Sequence, residues 1–170
     1  MTWNYDHLKT PRAYGPKVTY HNALRWLQVC PAIEDWGCGP GYFGTILPGT
    51  VRYFGLDGAV SQWGSKVPID LATYKSNIPG IMMRHVLEHN MSWRTILANA
   101  LESFTQRMCL ILFVPPIDGI EAVNYSKDDT PILALPSLAI DSMVAPYLVT
   151  SHRIKTKSPY GYETIYYLEK

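Results

Sequence analysis

The feature that most constrains this chain is a glycine-rich turn directly after a short apolar segment. The segment runs from Ala32 to Trp36, and Gly37, Gly39 and Gly41 then recur at every second position. Because glycine has no Cβ, such a turn lets the backbone pass close to a bound ligand. Core packing alone does not explain this spacing. The sequence therefore predicts a buried strand that ends at a ligand-binding turn.

Acidic residues and a histidine stand at the ends of several predicted strands. The apolar pattern predicts strands at residues 32–36, 51–56, 67–69 and 81–84. At or beside their carboxyl ends stand Asp35, Asp57, Asp70 and His85. In open α/β sheets, ligands bind at the carboxyl ends of the parallel strands. We therefore expect these four side chains to meet at one site.

The order of the predicted elements indicates an α/β fold. The further elements are helices at residues 18–29, 93–107 and 131–145, strands at 108–114, 147–157 and 160–168, and a loop at 117–130. Pro136 interrupts the third of these helices. Alternation of helices with parallel strands predicts a three-layer sandwich. We expect a mostly parallel seven-stranded sheet with a C-terminal antiparallel hairpin.

Length and composition indicate one globular domain. A chain of 170 residues can bury its own core. We divide it into an N-terminal arm and helix, a candidate lid (1–29), a cofactor-binding core (30–116), and a substrate-side segment with the closing hairpin (117–170). The net charge of +1 gives no global field for nucleic acid.

Cysteine content and hydropathy exclude further classes. The three cysteines are odd in number and lack a CxxC pair, so they indicate neither a disulfide framework nor a zinc knuckle. They favour a reducing compartment, and we expect a cytoplasmic protein. No apolar run reaches the roughly 18 residues of a membrane span, and the N-terminus does not read as a signal peptide.

Four segments together resemble the class I (Rossmann-like) S-adenosylmethionine-dependent methyltransferases. The segment Asp35-Trp36-Gly37-Cys38-Gly39-Pro40-Gly41 is similar to the family's acid-x-Gly-x-Gly-x-Gly loop, which wraps the amino-acid end of the cofactor. Asp57 and Gly58 match the segment that binds the ribose, and Asp70 and Leu71 match the adenine-binding segment. The run Arg84-His85-Val86-Leu87-Glu88-His89 resembles the segment of a subgroup with Leu-Glu-His after strand four.

This resemblance implies an enzyme that binds S-adenosylmethionine and releases S-adenosylhomocysteine. It places Arg84 and His85 beside the cofactor, and it makes His85, Glu88 and His89 the candidate bases for a weakly acidic acceptor. Carboxylates suit the ammonium group and the ribose diol of this cofactor because they only accept hydrogen bonds. The near-neutral net charge favours a small-molecule acceptor. We expect the methylated atom to be O or N. The oligomeric state is not readable from the sequence.

Two alternatives use the same residues for other chemistry. Residues 39–44 form a literal GxGxxG with Asp57 downstream, which is also the fingerprint of an NAD(P)-binding oxidoreductase. Asp35 and Asp70 speak against it, since a carboxylate repels a pyrophosphate. Residues 85–89 read as HxxEH, an inverted zinc-peptidase pattern. Here, however, the motif leaves a strand instead of lying on a helix.

Two further alternatives stay within cofactor binding. Some methyltransferases that act on RNA termini or catechol-like substrates carry Glu-x-x-Glu-His and a divalent metal, and His85 replaces the first Glu here. A His/Glu/His set can bind a metal, but we do not expect one. The chain also lacks a sizeable substrate-binding insertion, so a non-catalytic cofactor-binding subunit stays open.

Overall fold

The computed structural model describes residues 10–13, 15–62, 64–126 and 129–170. Most of the predicted N-terminal arm lies outside the described residues. The helices are α1 (Lys17–Leu27), α2 (Tyr42–Ile46), α3 (Trp93–Ser103) and α4 (Ser137–Val144), with a 3-10 turn at Leu87–His89. The strands are β1 (Ala32–Trp36), β2 (Arg52–Leu56), β3 (Ile78–Arg84), β4 (Phe104–Leu112), β5 (Ala122–Tyr125), β6 (Pro131–Ala134), β7 (Leu148–Lys155) and β8 (Tyr162–Glu169).

The main sheet is mixed and mostly parallel. Its strand order is β2-β1-β3-β4-β8-β7. The four strands from β1 to β4 pair in parallel, whereas β8 pairs antiparallel with both β4 and β7. The predicted α/β class, with a parallel sheet and a closing antiparallel hairpin, is therefore confirmed.

Core residues lie on both faces of this sheet. Along β3 and β4, Met83 and Leu110 pack with α3 and α4 on one face, while Met82 and Cys109 pack with α1 on the other. This alternation follows from the period of two along a strand. The predicted three-layer arrangement is confirmed. No helix in the described ranges is long and apolar enough to cross a membrane.

The strand predicted at residues 67–69 is wrong, and among the described residues the main sheet has six strands instead of seven. Only an isolated parallel bridge joins Asp57 to Pro68, with the Ile69 N–H donating to the Asp57 carbonyl at 2.8 Å. Proline has no N–H and cannot continue the ladder. β2 consequently forms one edge of the sheet.

Residues 117–145 also differ from the prediction. The expected loop contains β5, and the first part of the expected helix is β6, which pairs with β5 in a separate two-stranded sheet. The helix α4 starts only after Pro136, because proline is favoured at a helix start and not in its interior. The helix predicted at 93–107 ends at Ser103, since pairing with β3 takes the following residues into β4.

Candidate functional site

A cleft of about 910 Å³ opens at the carboxyl ends of the parallel strands. Residues that directly follow β1, β2, β3 and β4 form most of one wall, as expected for an α/β sheet. Further lining residues come from the start of α1, the start of β6 and the loop between β7 and β8. The lining of the whole cleft comprises residues 15–16, 20, 37–40, 57–58, 68–71, 84–86, 89–90, 113, 130–132, 157–159 and 163. The volume is in the upper part of the roughly 300–1,000 Å³ range of small-molecule sites.

The glycine turn uses its own amide hydrogens. Gly37 and Cys38 both donate to the Leu56 carbonyl, at 2.7 and 3.0 Å, and Gly41 donates to the Cys38 carbonyl at 3.0 Å. Gly39 donates to Oδ2 of Asp57 at 2.8 Å, and the proline at position 40 has no N–H. All three glycines have φ between 50° and 75°, so the turn requires glycine. No amide hydrogen from 37 to 41 is left for an anion in the cleft.

Asp57 borders the cleft beside Gly58 and holds the turn in place. Its Oδ1 accepts a hydrogen bond from the Ala59 N–H at 2.8 Å, in addition to the bond from Gly39. Burial raises the pKa of this carboxyl, and the two N–H donors partly offset that effect. A carboxylate has about four acceptor positions, so roughly two of them remain for a ligand.

Asp70 and Leu71 lie farther along the same wall. Oδ1 of Asp70 accepts from the Ala72 N–H at 2.9 Å, which shapes a local turn. Asp70 is exposed and Leu71 is buried. The predicted adenine-binding pair thus offers one carboxylate and one apolar surface to the cleft.

Asp35 lies behind the turn and does not line the cleft. It is buried in β1, and the hydroxyl of Tyr53 donates to its Oδ2 at 2.9 Å. Burial raises the pKa of this carboxyl to about 7, although the Tyr53 hydrogen bond lowers it. Gly41 and Glu88, two other predicted site residues, are likewise absent from the lining.

A buried ion pair at the floor of the cleft was not predicted. Nη2 of Arg84 lies 3.1 Å from Oε1 of Glu163, and their side chains are 3% and 0% exposed. Thr19 of α1 donates to Oε2 of Glu163 at 2.7 Å, and Nε of Arg84 donates to the Thr19 hydroxyl at 3.2 Å. Burial raises the pKa of Glu163, but hydrogen bonding and the charge of Arg84 outweigh it and lower the pKa. The available sequence signal was an acidic residue, Glu163, within the mostly apolar strand predicted at residues 160–168.

His85 sits in a strained position above this ion pair. Its φ is 57°, an uncommon value for a residue with a side chain. Its Nε2 lies 3.3 Å from Oε2 of Glu163 without a well-aligned hydrogen bond. Burial lowers the pKa of His85 to about 4, so the ring is neutral at pH 7.

Glu88 and His89 face different partners. Oε1 of Glu88 accepts from the Phe113 N–H at 2.6 Å, and burial raises the pKa of Glu88 to about 7. Nδ1 of His89 lies 2.9 Å from the Pro131 carbonyl, and burial lowers the pKa of His89. Within the part of the chain that the structure describes, no three His, Cys, Asp or Glu side chains converge as a metal site.

Comparison with solved structures identifies proteins that have the same fold. No family model and no curated protein matches the chain. Among solved structures, it is similar to 1,6-didemethyltoxoflavin-N1-methyltransferase of Burkholderia thailandensis, crystallised with its substrate and S-adenosylhomocysteine. The TM-score is 0.68 at 15% identity, over 91% of this chain and 79% of that one. The fold is that of a methyltransferase.

Two further structures have the same fold. Magnesium protoporphyrin IX methyltransferase of Synechocystis PCC 6803, with bound S-adenosylhomocysteine, gives a TM-score of 0.64 at 13% identity, over 89% of this chain and 82% of that one. N-methyltransferase NodS of Bradyrhizobium japonicum WM9, also with S-adenosylhomocysteine, gives 0.62 at 13% identity, over 89% and 85%. Identities this low establish a common fold and leave activity to be argued from the site.

Proposed function

We propose that the protein binds S-adenosylmethionine and transfers its methyl group to an O or N atom of a small molecule. The observation that carries this proposal is the bonding of the glycine turn. Its amide hydrogens are used internally, while the carboxylates of Asp57 and Asp70 border the cleft. Such a wall suits a cofactor that is cationic and lacks phosphate. The S-adenosylhomocysteine bound in the solved structures with this fold supports the same choice.

The chemistry of the donor set fits this cofactor. The remaining acceptor positions of Asp57 suit the two ribose hydroxyls, and Asp70 with Leu71 suits the polar and apolar parts of adenine. Gly37, Gly39 and Cys38 would face the amino-acid end, with Arg84 and His85 beside it. Asp35 and Gly41 would act indirectly, by shaping the turn from behind. In this proposal residues 30–116 hold the cofactor, 117–170 face the acceptor, and the start of α1 closes one side.

The same bonding disfavours an NAD(P)-binding oxidoreductase. A pyrophosphate is held by free backbone N–H groups at the glycine turn and the following helix. Here the Gly39 N–H already donates to Asp57, so the phosphate would meet a carboxylate instead. The following helix, α2, is only five residues long.

His89 is the candidate general base. Because the Pro131 carbonyl can only accept a hydrogen bond, Nδ1 of His89 carries the ring proton. In the neutral ring Nε2 therefore carries the lone pair, and it can take the proton that an acceptor hydroxyl or amine releases. When bound, S-adenosylmethionine supplies an electrophilic methyl group whose bond to sulfur breaks with the electron pair going to sulfur.

Glu88 has a positioning role in this scheme. It binds the backbone that follows β4 and so fixes Phe113 beside His89. His85 would help to hold donor and acceptor in line and to exclude water, which is the main task in such a displacement. Because Glu88 and His89 face different partners, this arrangement favours metal-free transfer over a metal-assisted reaction.

A titration of the protein with S-adenosylmethionine and with NAD tests the proposal. We expect binding of the first and none of the second. Asp57→Asn should weaken binding of S-adenosylmethionine at least about tenfold, since it removes a charged acceptor. Asp118→Asn is the matched control, because this exposed aspartate also accepts a side-chain hydrogen bond but lies outside the cleft. Unchanged affinity in folded Asp57→Asn protein would contradict the assignment.

Methylation of any acceptor separates the enzyme from a non-catalytic cofactor-binding subunit. The position of His89, with its lone pair on Nε2, favours the enzyme. A protein that binds the cofactor but transfers no label to a broad panel of phenols, carboxylic acids and amines would favour the subunit instead.

A further inference from the structure

Phe113, His85 and His89 give one part of the cleft a lining of aromatic rings. The ring of Phe113 lies with its centroid 4.8 Å from that of His85 and 5.3 Å from that of His89. Tyr160, which is not among the lining residues, packs against the same phenyl ring with the centroids 6.1 Å apart. Burial lowers the pKa of both His85 and His89, so their imidazole rings are neutral at pH 7. Together with Phe113 they offer a mainly apolar surface with π faces. Such a surface suits a flat ring, which gains about 0.5–1.5 kcal/mol per aromatic contact beyond its buried area.

Lys157 brings a positive charge to the cleft. It lines the cleft from the loop between β7 and β8. The loop is fixed by its own hydrogen bonds, with Thr156 N–H donating to the Gly161 carbonyl at 3.0 Å and the Ser158 hydroxyl donating to the Tyr162 carbonyl at 3.2 Å. In the described part of the chain, Lys157 makes no ion pair. Its ammonium group is therefore available to a ligand.

The other charged side chains that line the cleft do not neutralise the ammonium group of Lys157. Arg84 and Glu163 neutralise each other in their buried pair. Asp57 and Asp70 belong to the wall that we assign to the cofactor. Among the described lining residues, Lys157 is thus the lysine or arginine that has no carboxylate partner.

We propose that the methyl acceptor is a hydroxylated aromatic acid, with its ring against Phe113 and its ionised carboxylate on Lys157. This inference rests on the proposed methyl transfer and specifies its acceptor. The ring hydroxyl gives its proton to Nε2 of His89, and its oxygen forms the new bond to the methyl carbon. Lys157 is a binding residue in this arrangement and takes no part in the proton transfer.

The three hydroxybenzoates and the matching hydroxybenzamides test the carboxylate. Binding is measured by calorimetry with S-adenosylhomocysteine present, and turnover is measured with labelled S-adenosylmethionine. We expect at least one hydroxybenzoate to bind and to be methylated. Its affinity should be at least about tenfold higher than that of its amide, because a charge-assisted hydrogen bond is lost in the amide. If the protein binds S-adenosylhomocysteine but no hydroxybenzoate, or binds acid and amide equally, the inference is wrong.

Two variants and one control variant test the roles of Lys157 and Phe113. Lys157→Met should raise the KM of the acid at least about tenfold, leave kcat and cofactor affinity unchanged, and abolish the preference over the amide. Lys155→Met removes the same charge from an exposed position outside the cleft and should change nothing. Phe113→Leu should weaken acid and amide alike. An unchanged acid preference in Lys157→Met overturns the inference, whereas failure to bind S-adenosylmethionine would overturn the proposed function.

Discussion

Gly37 shows how one atom decides the shape of the turn. Its φ is +75°, and a Cβ built on it would lie 2.2 Å from Cγ2 of Val86. Val86 is β-branched and has few rotamers with which to move away. Contact between the glycine turn and the segment that follows β3 is possible only because position 37 has no side chain.

Gly37→Ala should therefore destabilise the protein by about 1–3 kcal/mol through overpacking alone, with backbone strain in addition. Gly49→Ala is the matched control, since a Cβ there would meet no atom within 4 Å. Its free energy of unfolding should stay within about 0.5 kcal/mol of the wild type. Urea denaturation of the two variants checks the difference, and equal midpoints would contradict the packing argument.

His89 carries the proposed proton transfer. His89→Gln should lower kcat by about 10²–10⁴-fold and leave the dissociation constant of S-adenosylmethionine unchanged. Since burial lowers the pKa of His89, the wild-type rate should persist at pH values below the usual histidine pKa of about 6.5 and fall only when the ring becomes protonated. Rate measurements between pH 4.5 and 8 check both points. A His89→Gln enzyme with wild-type kcat would remove the base assignment.

At the scale of elements, Glu163 joins three parts of the fold. It lies on β8, pairs with Arg84 at the end of β3, and accepts a hydrogen bond from Thr19 of α1. Arg84 also lies over the ring of Tyr20, with its guanidinium carbon 4.2 Å from the ring centroid. These contacts of Thr19 and Tyr20 hold the start of α1, which borders the cleft, against the sheet.

Glu163→Gln should destabilise the protein by about 3–5 kcal/mol, because it removes the carboxylate that is ion-paired with the buried guanidinium of Arg84. Glu169→Gln on the same strand breaks a pair with Arg107 whose side chains are 26% and 44% exposed, and it should cost less than about 1 kcal/mol. Chemical denaturation of both variants makes the comparison. Similar losses in the two would show that burial does not strengthen the pair at Glu163.

At the scale of the whole molecule, the cleft couples distant parts of the chain. Its lining extends from residue 15 to residue 163. S-adenosylhomocysteine at about 100 times its dissociation constant should stabilise the protein by about 2.7 kcal/mol through mass action. We expect the melting temperature to rise by roughly 5–10 °C in a thermal scan. At the same ligand concentration Asp57→Asn should show a clearly smaller rise.

The local parts of this site could be predicted from the sequence, because turn chemistry is written in neighbouring residues. The turn at 37–41 and the borders at Asp57 and Asp70 follow from glycine and acid spacing. Glu163 could not be assigned to the site, since it lies 79 positions after Arg84 in the sequence. That contact depends on the register of β8 against β4, which no local pattern encodes.

The incorrect elements have equally specific causes. Pro68 prevents the strand predicted at residues 67–69, although its neighbours Val67 and Ile69 are apolar. The run 131–145 contains enough apolar residues for either a helix or a short strand, and Pro136 divides it into one of each. Position 104 continues the helical pattern of α3, yet pairing with β3 takes Phe104 into the sheet.

The place of β8 in the sheet affects how the protein forms during synthesis. β8 lies between β4 and β7, so β7 leaves the ribosome before the strand with which it pairs. Until residues 162–169 emerge, the nascent chain has an open edge at β4, and Arg84 lacks the carboxylate of Glu163. Open apolar edges favour association between incomplete chains. Insertion of this strand therefore ends the aggregation-prone interval and completes the ligand cleft in the same step.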